Sequence, residues 1–245
     1  MSPSLASSTH ATRMKPTNLK ASLLQYDANW VWSKRHRSHE VILSESYRKV
    51  YFHPNWSKGT AGVRGTHAIN SCRHYWEIHV SHRVFGTSMM FGVGTANVRL
   101  NANMFVNMLG EDENGWGLSH KGLVWHGGFT YKFSEPFIEN EATVIGIYFD
   151  GLNGTLTYYK DGRCLGVAFH DLNKIGEPLY PIVISTSAKT EMVLTETRRD
   201  FPSLKDRCRG EILKHIKQKS NLENLGLKNH EVVNYLLDEF YEPQP

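Results

Sequence analysis

The side chains best suited to chemistry in this 245-residue sequence are thirteen histidines, three cysteines and a run of acids. His74, His79 and His82 lie near Cys72 and invite a metal ion, but Cys72-x-His74 has no second ligand pair at zinc-site spacing. In an extended chain Cys72 and His74 share one face and His79 takes the other. Glu111, Asp112 and Glu113 precede Gly115-Trp116-Gly117, and paired carboxylates can hydrolyse a glycosidic bond. Three consecutive acids read instead as a solvated loop. Gly92-Val93-Gly94 starts like a phosphate-binding glycine loop, yet the third glycine and the helix pattern that should follow are missing, so strand packing is the reading. Gly-x-Ser-x-Gly, Gly-Lys-Ser/Thr and His-Glu-x-x-His do not occur. No catalytic residue, cofactor or metal is expected.

The aromatic residues point to binding rather than catalysis. Trp30, Trp32, Trp76, Trp116 and Trp125 are spread along apolar segments and are expected mostly in a core. Trp56 and Phe105 lie in glycine- or asparagine-rich connections, where a large aromatic is either tucked under its loop or offered to a ligand. Loops on rigid β scaffolds are where recognition concentrates.

The elements that must position these residues are short strands. From Trp30 to about Thr195 alternating or apolar runs are punctuated by glycine, the pattern of an all-β sandwich. Expected strands include 49–53, 74–80, 89–95, 116–118, 144–150, 154–160, 164–169 and 180–184. Asp161-Gly162 between two of them predicts a type I′ hairpin turn, since both residues accept positive φ. Val144 to Phe149 is nearly all apolar, as in a strand buried on both faces. Beyond Thr197 the β pattern stops. Ser203 suits a helix N-cap and Asp206 the third helical position. Leu204, Cys208, Ile212 and Ile216 then recur at i+4 steps, forming one apolar stripe that something must cover. A polar connection and a second amphipathic run, Val232 to Phe240, complete a helical unit too small for a strong core of its own.

Composition bounds the remaining options. Hydrophobic residues make up 40%, aromatic 11% and charged 21%, enough to bury a core. The net charge of +4 is 28 minus 24, and Arg13, Lys15 and Lys20 supply three of it in an acid-free first twenty residues. That leaves a near-neutral remainder and no electrostatic case for nucleic acid. Residues 1–20, rich in Ser and Thr, read as a flexible tail. No apolar run reaches membrane-spanning length and no signal-peptide core is present, so the expectation is neither a membrane protein nor a secreted one. Cys72, Cys164 and Cys208 are expected to be free thiols in a reducing compartment.

Six ordered motifs carry a family resemblance: His74-Tyr-Trp-Glu-Ile78, Phe91-Gly-Val-Gly94, Gly115-Trp-Gly-Leu-Ser119, Asp150-Gly-Leu-Asn-Gly-Thr-Leu156, Lys160-Asp-Gly-Arg-Cys-Leu-Gly-Val-Ala-Phe169 and Tyr180-Pro181. With these the sandwich resembles a SPRY domain. Ser203-Leu-Lys-Asp-Arg-Cys-Arg-Gly-Glu-Ile212 resembles a SOCS box, and the pair is similar to the SPRY domain-containing SOCS box family, nearest a divergent branch of it. The resemblance implies a mainly β fold: a SPRY-type antiparallel sandwich over 21–198 and a small helical SOCS box over 199–245. It implies a non-catalytic substrate receptor of an elongin–cullin–RING ubiquitin ligase, in the cytoplasm or also the nucleus. Leu204, Cys208 and Ile212 would insert into elongin C, with elongin B alongside. Leu225 and Leu227 stand where the family has a cullin-selecting Leu-Pro-x-Pro segment, and both prolines are missing, so cullin-5 is inferred only by family. The target would present a linear degron. In the family an Asn-rich peptide docks through a tyrosine and a tryptophan. Phe105, ahead of Met108, and Thr186 with Ser187 stand at those positions here, with Pro54 and Trp56 in an early loop. Losing the tyrosine hydroxyl removes a hydrogen bond worth about 1 kcal/mol. The expected degron contacts are therefore Trp56, Phe105 and Met108 as apolar anchors, Thr186 and Ser187 as polar ones, and Pro54 beside them.

Overall fold

The computed structural model describes Leu24, residues 26–70 and 72–200, and beyond them Cys208 and Ile212. The expected 1–20 tail, Leu204, Leu225, Leu227 and the second helix lie outside the described residues.

Among the described residues sixteen strands follow in chain order. The first six are β1 (Tyr26–Asp27), β2 (Trp32–Arg37), β3 (Val41–Ser44), β4 (Lys49–Phe52), β5 (Thr60–Gly65) and β6 (Arg73–Val80). Next come β7 (Met89–Gly94), β8 (Asn101–Ala102), β9 (Gly115–Ser119), β10 (Leu123–His126) and β11 (Phe129–Lys132). The last are β12 (Thr143–Asp150), β13 (Thr155–Lys160), β14 (Arg163–Phe169), β15 (Tyr180–Ser185) and β16 (Thr190–Asp200). They form two eight-stranded sheets. One runs β14-β13-β12-β6-β16-β4-β3 with β1 beside β16, and the other runs β11-β10-β9-β7-β15-β5-β2 with β8 beside β5. Every pairing is antiparallel.

The period-2 alternation of each strand sends one set of side chains between the sheets. Trp76, Ile78 and Val80 of β6 meet Val63, Phe91 and Val93 in one buried core with Trp30 and Trp32. Trp30 packs edge-on against both Trp32 and Trp76, at 5.1 and 6.0 Å between ring centres. Tyr158 spans the core, its hydroxyl donating to the Phe91 carbonyl of the opposite sheet at 2.9 Å. Gly92 makes room for this contact, because a Cβ there would sit 2.0 Å from the Trp116 carbonyl oxygen and 2.9 Å from the Tyr158 hydroxyl. That close packing, not phosphate binding, accounts for the Gly92-Val-Gly94 motif.

Asp161 and Gly162 both adopt positive φ, 50° and 79°, as the hairpin turn requires. β12 is buried on both faces: Ile145, Ile147 and Phe149 enter the core, while Tyr148 packs outside with Leu24, Tyr75 and Tyr159. One expectation needs correction. β16 does not stop at Thr197 but pairs on through Arg199 with His74 and Asp200 with Arg73. Backbone bonds to β6, and β1 beside Arg198 and Arg199, hold this polar stretch extended although its residues carry no apolar alternation.

Candidate functional site

One end of the sandwich gathers four connections. β15 ends at Ser185, which lies opposite Ala61 at the start of β5 and Met89 at the start of β7. The β15–β16 connection, the segment entering β5 and the segment entering β7 therefore meet. His53, just past β4, shares a hydrogen bond of 3.1 Å between Nε2 and the Ser185 carbonyl. The Lys189 amide returns to the carbonyls of Phe52 at 2.8 Å and His53 at 3.1 Å. Burial lowers the His53 pKa, outweighing the Ser185 carbonyl and the Glu40 carboxylate 3.8 Å from Nδ1, so the ring is neutral at pH 7.

Thr60 clamps the fourth connection. Its hydroxyl donates to the Met104 carbonyl at 2.8 Å and accepts from the Val106 amide at 2.9 Å. Gly59 lets the two chains touch, since a Cβ there would fall 2.0 Å from the Ala102 carbonyl oxygen. The loop carrying Trp56 and the loop carrying Phe105 are thus held side by side. Trp56 is 83% exposed and Phe105 49%, with Met104 at 60% beside it. Pro54 is half-buried at the base of the Trp56 loop.

The other three expected contacts are placed differently. Met108 is buried, not an anchor at the surface: it packs with Met90, Leu109, Ile182 and Ile184 where the segment between β7 and β9 covers the outer face of the second sheet. Thr186 and Ser187 are buried too, and their hydroxyls are engaged. Thr186 Oγ1 donates to the Ser88 carbonyl at 2.9 Å and accepts from the Ser88 amide at 3.0 Å, and Ser187 Oγ donates to the Phe85 carbonyl. These two residues fasten the β6–β7 connection instead of facing solvent. Arg83 reinforces it, donating to the Ala188 carbonyl at 2.8 Å and lying over the Phe85 ring. The surface ledge is therefore Trp56, Met104 and Phe105. Met104 went unread, though an apolar pair inside Asn101-Ala-Asn-Met-Phe105 is the signal that could have found it.

Among the described residues no group of three or more His, Cys, Asp or Glu could hold a metal ion, and no helix is long and apolar enough to cross a membrane. Glu111 is tied to Arg99, whose Nε donates to it at 2.9 Å, so that acid anchors a loop. His74 is buried in the core, where burial first and Arg199 second push its pKa down to about 4. Far along the chain, Cys208 and Ile212 are both helical and both exposed, four residues apart. Cys72, Cys164 and Cys208 are not joined in disulfides.

The end loops of the two-sheet sandwich carry an exposed apolar ledge of Trp56, Met104 and Phe105. The chain belongs to the SPRY domain family, whose model matches residues 73–198. It is 40% identical over 166 residues to SPRY domain-containing SOCS box protein 3 of Xenopus tropicalis, a match covering 67% of this chain and 45% of that protein. SPRY domain-containing SOCS box protein 1 of Homo sapiens is 29% identical over 185 residues, covering 69% of this chain and 66% of that one. The chain thus spans about half the length of the first of these relatives. Among solved structures, the TRIM65 PSpry domain superposes with a TM-score of 0.54 at 20% identity, covering 73% of this chain and 98% of that one, which shows the fold.

Proposed function

We propose that this protein is a non-catalytic substrate receptor of an elongin B/C–cullin–RING ubiquitin ligase, promoting ubiquitination and proteasomal degradation of its target. The sandwich captures a short degron on the Trp56, Met104 and Phe105 ledge, with Pro54 shaping the loop and Thr186, Ser187 and Met108 holding the ledge from beneath. The segment carrying Leu204, Cys208 and Ile212 docks on elongin C. Cullin-5 is the cullin by family, through the region of Leu225 and Leu227. Proximity is what such a receptor contributes; the chemistry belongs to its partners. Three cysteines outside any disulfide suit the reducing cytoplasm or nucleus.

The observation that carries this reading is the helical, exposed pair Cys208 and Ile212. Apolar groups one helical turn apart on a surface are what a helix-in-groove partner buries, and the similarity to proteins named for a SPRY domain with a SOCS box gives that helix a partner. The test is copurification of the full chain with elongin B and C, comparing wild type with the double change Leu204→Pro and Cys208→Phe. With Ser203 as the expected N-cap, proline at 204 is compatible with a first helical position but removes the apolar leucine side chain from the stripe, and phenylalanine overfills a pocket shaped for cysteine. Stoichiometric elongin in the wild type, lost in a variant that keeps the buried-tryptophan fluorescence of the sandwich, is the expected result. No elongin with either form refutes the reading.

A second reading rests on Leu225-Gly226-Leu227-Lys228, which lacks both prolines of the cullin-selecting segment. In it the chain is a SPRY interaction scaffold that binds its target without promoting degradation. Elongin capture without cullin capture would favour it.

A further inference from the structure

A second recognition feature lies away from the loop ledge, on the edge strand β2. Trp32 pairs with Gly65 and Arg37 with Val63, so Ser33, Lys34, Arg35 and His36 together oppose the single residue Arg64. This bulge throws Lys34, Arg35 and His36 out to solvent. The Ser33 hydroxyl pins it, accepting from the His36 amide at 3.1 Å and lying 3.1 Å from His36 Nδ1.

Arg64, facing the bulge, is only 7% exposed, and its Nε is sealed from solvent with no hydrogen-bond partner. Its one partner among the described residues is the Tyr180 ring, 4.5 Å beneath the guanidinium carbon. No described carboxylate pairs with Arg64, Lys34 or Arg35, whereas Arg73, Arg99 and Arg198 each have one. Arg37, next along β2, is engaged with the Ser38 and Val41 carbonyls. Three positive charges without a described carboxylate partner therefore lie on this bulge or opposite it in register, and after burial those of Arg64 and then Arg35 lower the His36 pKa. A buried guanidinium without an anion is costly, and its planar fork matches the oxygens of a phosphate. Three cations call for a dianion more than for a single carboxylate.

We propose that Arg64 and the β2 bulge form a site for a phosphate dianion, with Arg64 as the buried fork and Lys34 and Arg35 closing over the outer oxygens. The ligand is either free phosphate or the phosphate monoester of a modified side chain. The site lies four residues along β5 from Thr60, about 13 Å from the clamp under the loop ledge, and it stands whether or not the chain binds elongin.

The test is a nuclear magnetic resonance titration of the full chain, following the Arg64 Nε–Hε signal and the amides of Lys34 to Arg37. Inorganic phosphate, phosphoserine and acetate are each added at constant ionic strength. Saturable shifts with phosphate or phosphoserine, weakened about tenfold in Arg64→Gln, are expected, because a charge-assisted hydrogen bond is worth that much. The exposed pair Lys34→Ala and Arg35→Ala should weaken the same shifts while the remaining amide spectrum is unchanged, which covers the case that Arg64→Gln does not fold. Tighter phosphoserine assigns the site to a modified side chain, and tighter inorganic phosphate to the free anion. Equal shifts with acetate, no saturation, or unchanged affinity in the Lys34/Arg35 variant overturns the proposal.

Discussion

Acidification should loosen this sandwich through one buried ring. His74 points inward from β6, flanked in register by Phe149 on β12 and Arg199 on β16, and its Nδ1 finds no hydrogen-bond partner. Burial and the neighbouring Arg199 depress its pKa from 6.5 to about 4. The folded chain therefore stays unprotonated at His74 down to about pH 4, while the unfolded chain takes up a proton below about 6.5. Stability is full above 6.5 and falls as pH drops through the window to about 4, because the unfolded state binds more protons there. A separation of that size corresponds to about 3 kcal/mol in the acid limit, of which about 2 kcal/mol is lost by pH 5. His53 and His120 are lowered by burial as well and add to the same trend. Comparison with His74→Gln isolates the His74 share. Urea unfolding at pH 7 and pH 5, read by the fluorescence of Trp30, Trp32 and Trp76, should show wild type losing about 2 kcal/mol more than the variant between the two pH values. Equal losses in both proteins would refute the assignment of a neutral, buried His74.

Three further changes separate the ledge from the core. Trp56→Ala should leave unfolding stability within about 0.5 kcal/mol of wild type, whereas Trp76→Ala should cost about 3–5 kcal/mol, both by denaturant titration; a large loss for Trp56→Ala would mean that the ring is packed and not presented. Gly92→Ala should destabilise by at least about 1–3 kcal/mol, since its methyl group meets the Trp116 carbonyl oxygen at 2.0 Å, a backbone atom that cannot turn aside; a wild-type melting temperature would contradict that packing. Tyr158→Phe should cost about 1 kcal/mol for the lost bond to Phe91, and an unchanged midpoint would show that the bond between the sheets contributes nothing.

Much of the scaffold is legible in the chain because burial and alternation coincide. β6, β7, β12, β13 and β15 all read as strands: their apolar residues repeat at the pleat, or fill both faces where each face is covered. β2 and β11 escape that reading. Trp32-Ser-Lys-Arg-His-Arg37 has three charged residues among its six, and all four residues of β11 are exposed. Both are edge strands, extended by backbone bonds to a neighbour; β2 leaves no apolar period to detect, and the Phe129/Tyr131 alternation of β11 spans only four residues. β5 escapes for another reason: Thr60-Ala-Gly-Val-Arg-Gly65 is wholly buried, but glycines and an arginine hide it.

The sequence by itself determined the β-sandwich class, the Asp161-Gly162 hairpin, the family motifs and the two aromatic loop residues later found at the surface. Those follow from local chemistry: turn residues that tolerate positive φ, apolar residues at period two, and large rings in segments with no periodicity. Only the tertiary structure decided that Trp56 and Phe105 share one end, that Met108, Thr186 and Ser187 lie beneath it, and that Arg64 lies opposite a bulge whose cations have no described carboxylate partner. Each of these depends on contacts between residues 30 to 130 positions apart. Exposure is set by what the rest of the chain lays over a residue, and neither residue type nor spacing carries that information.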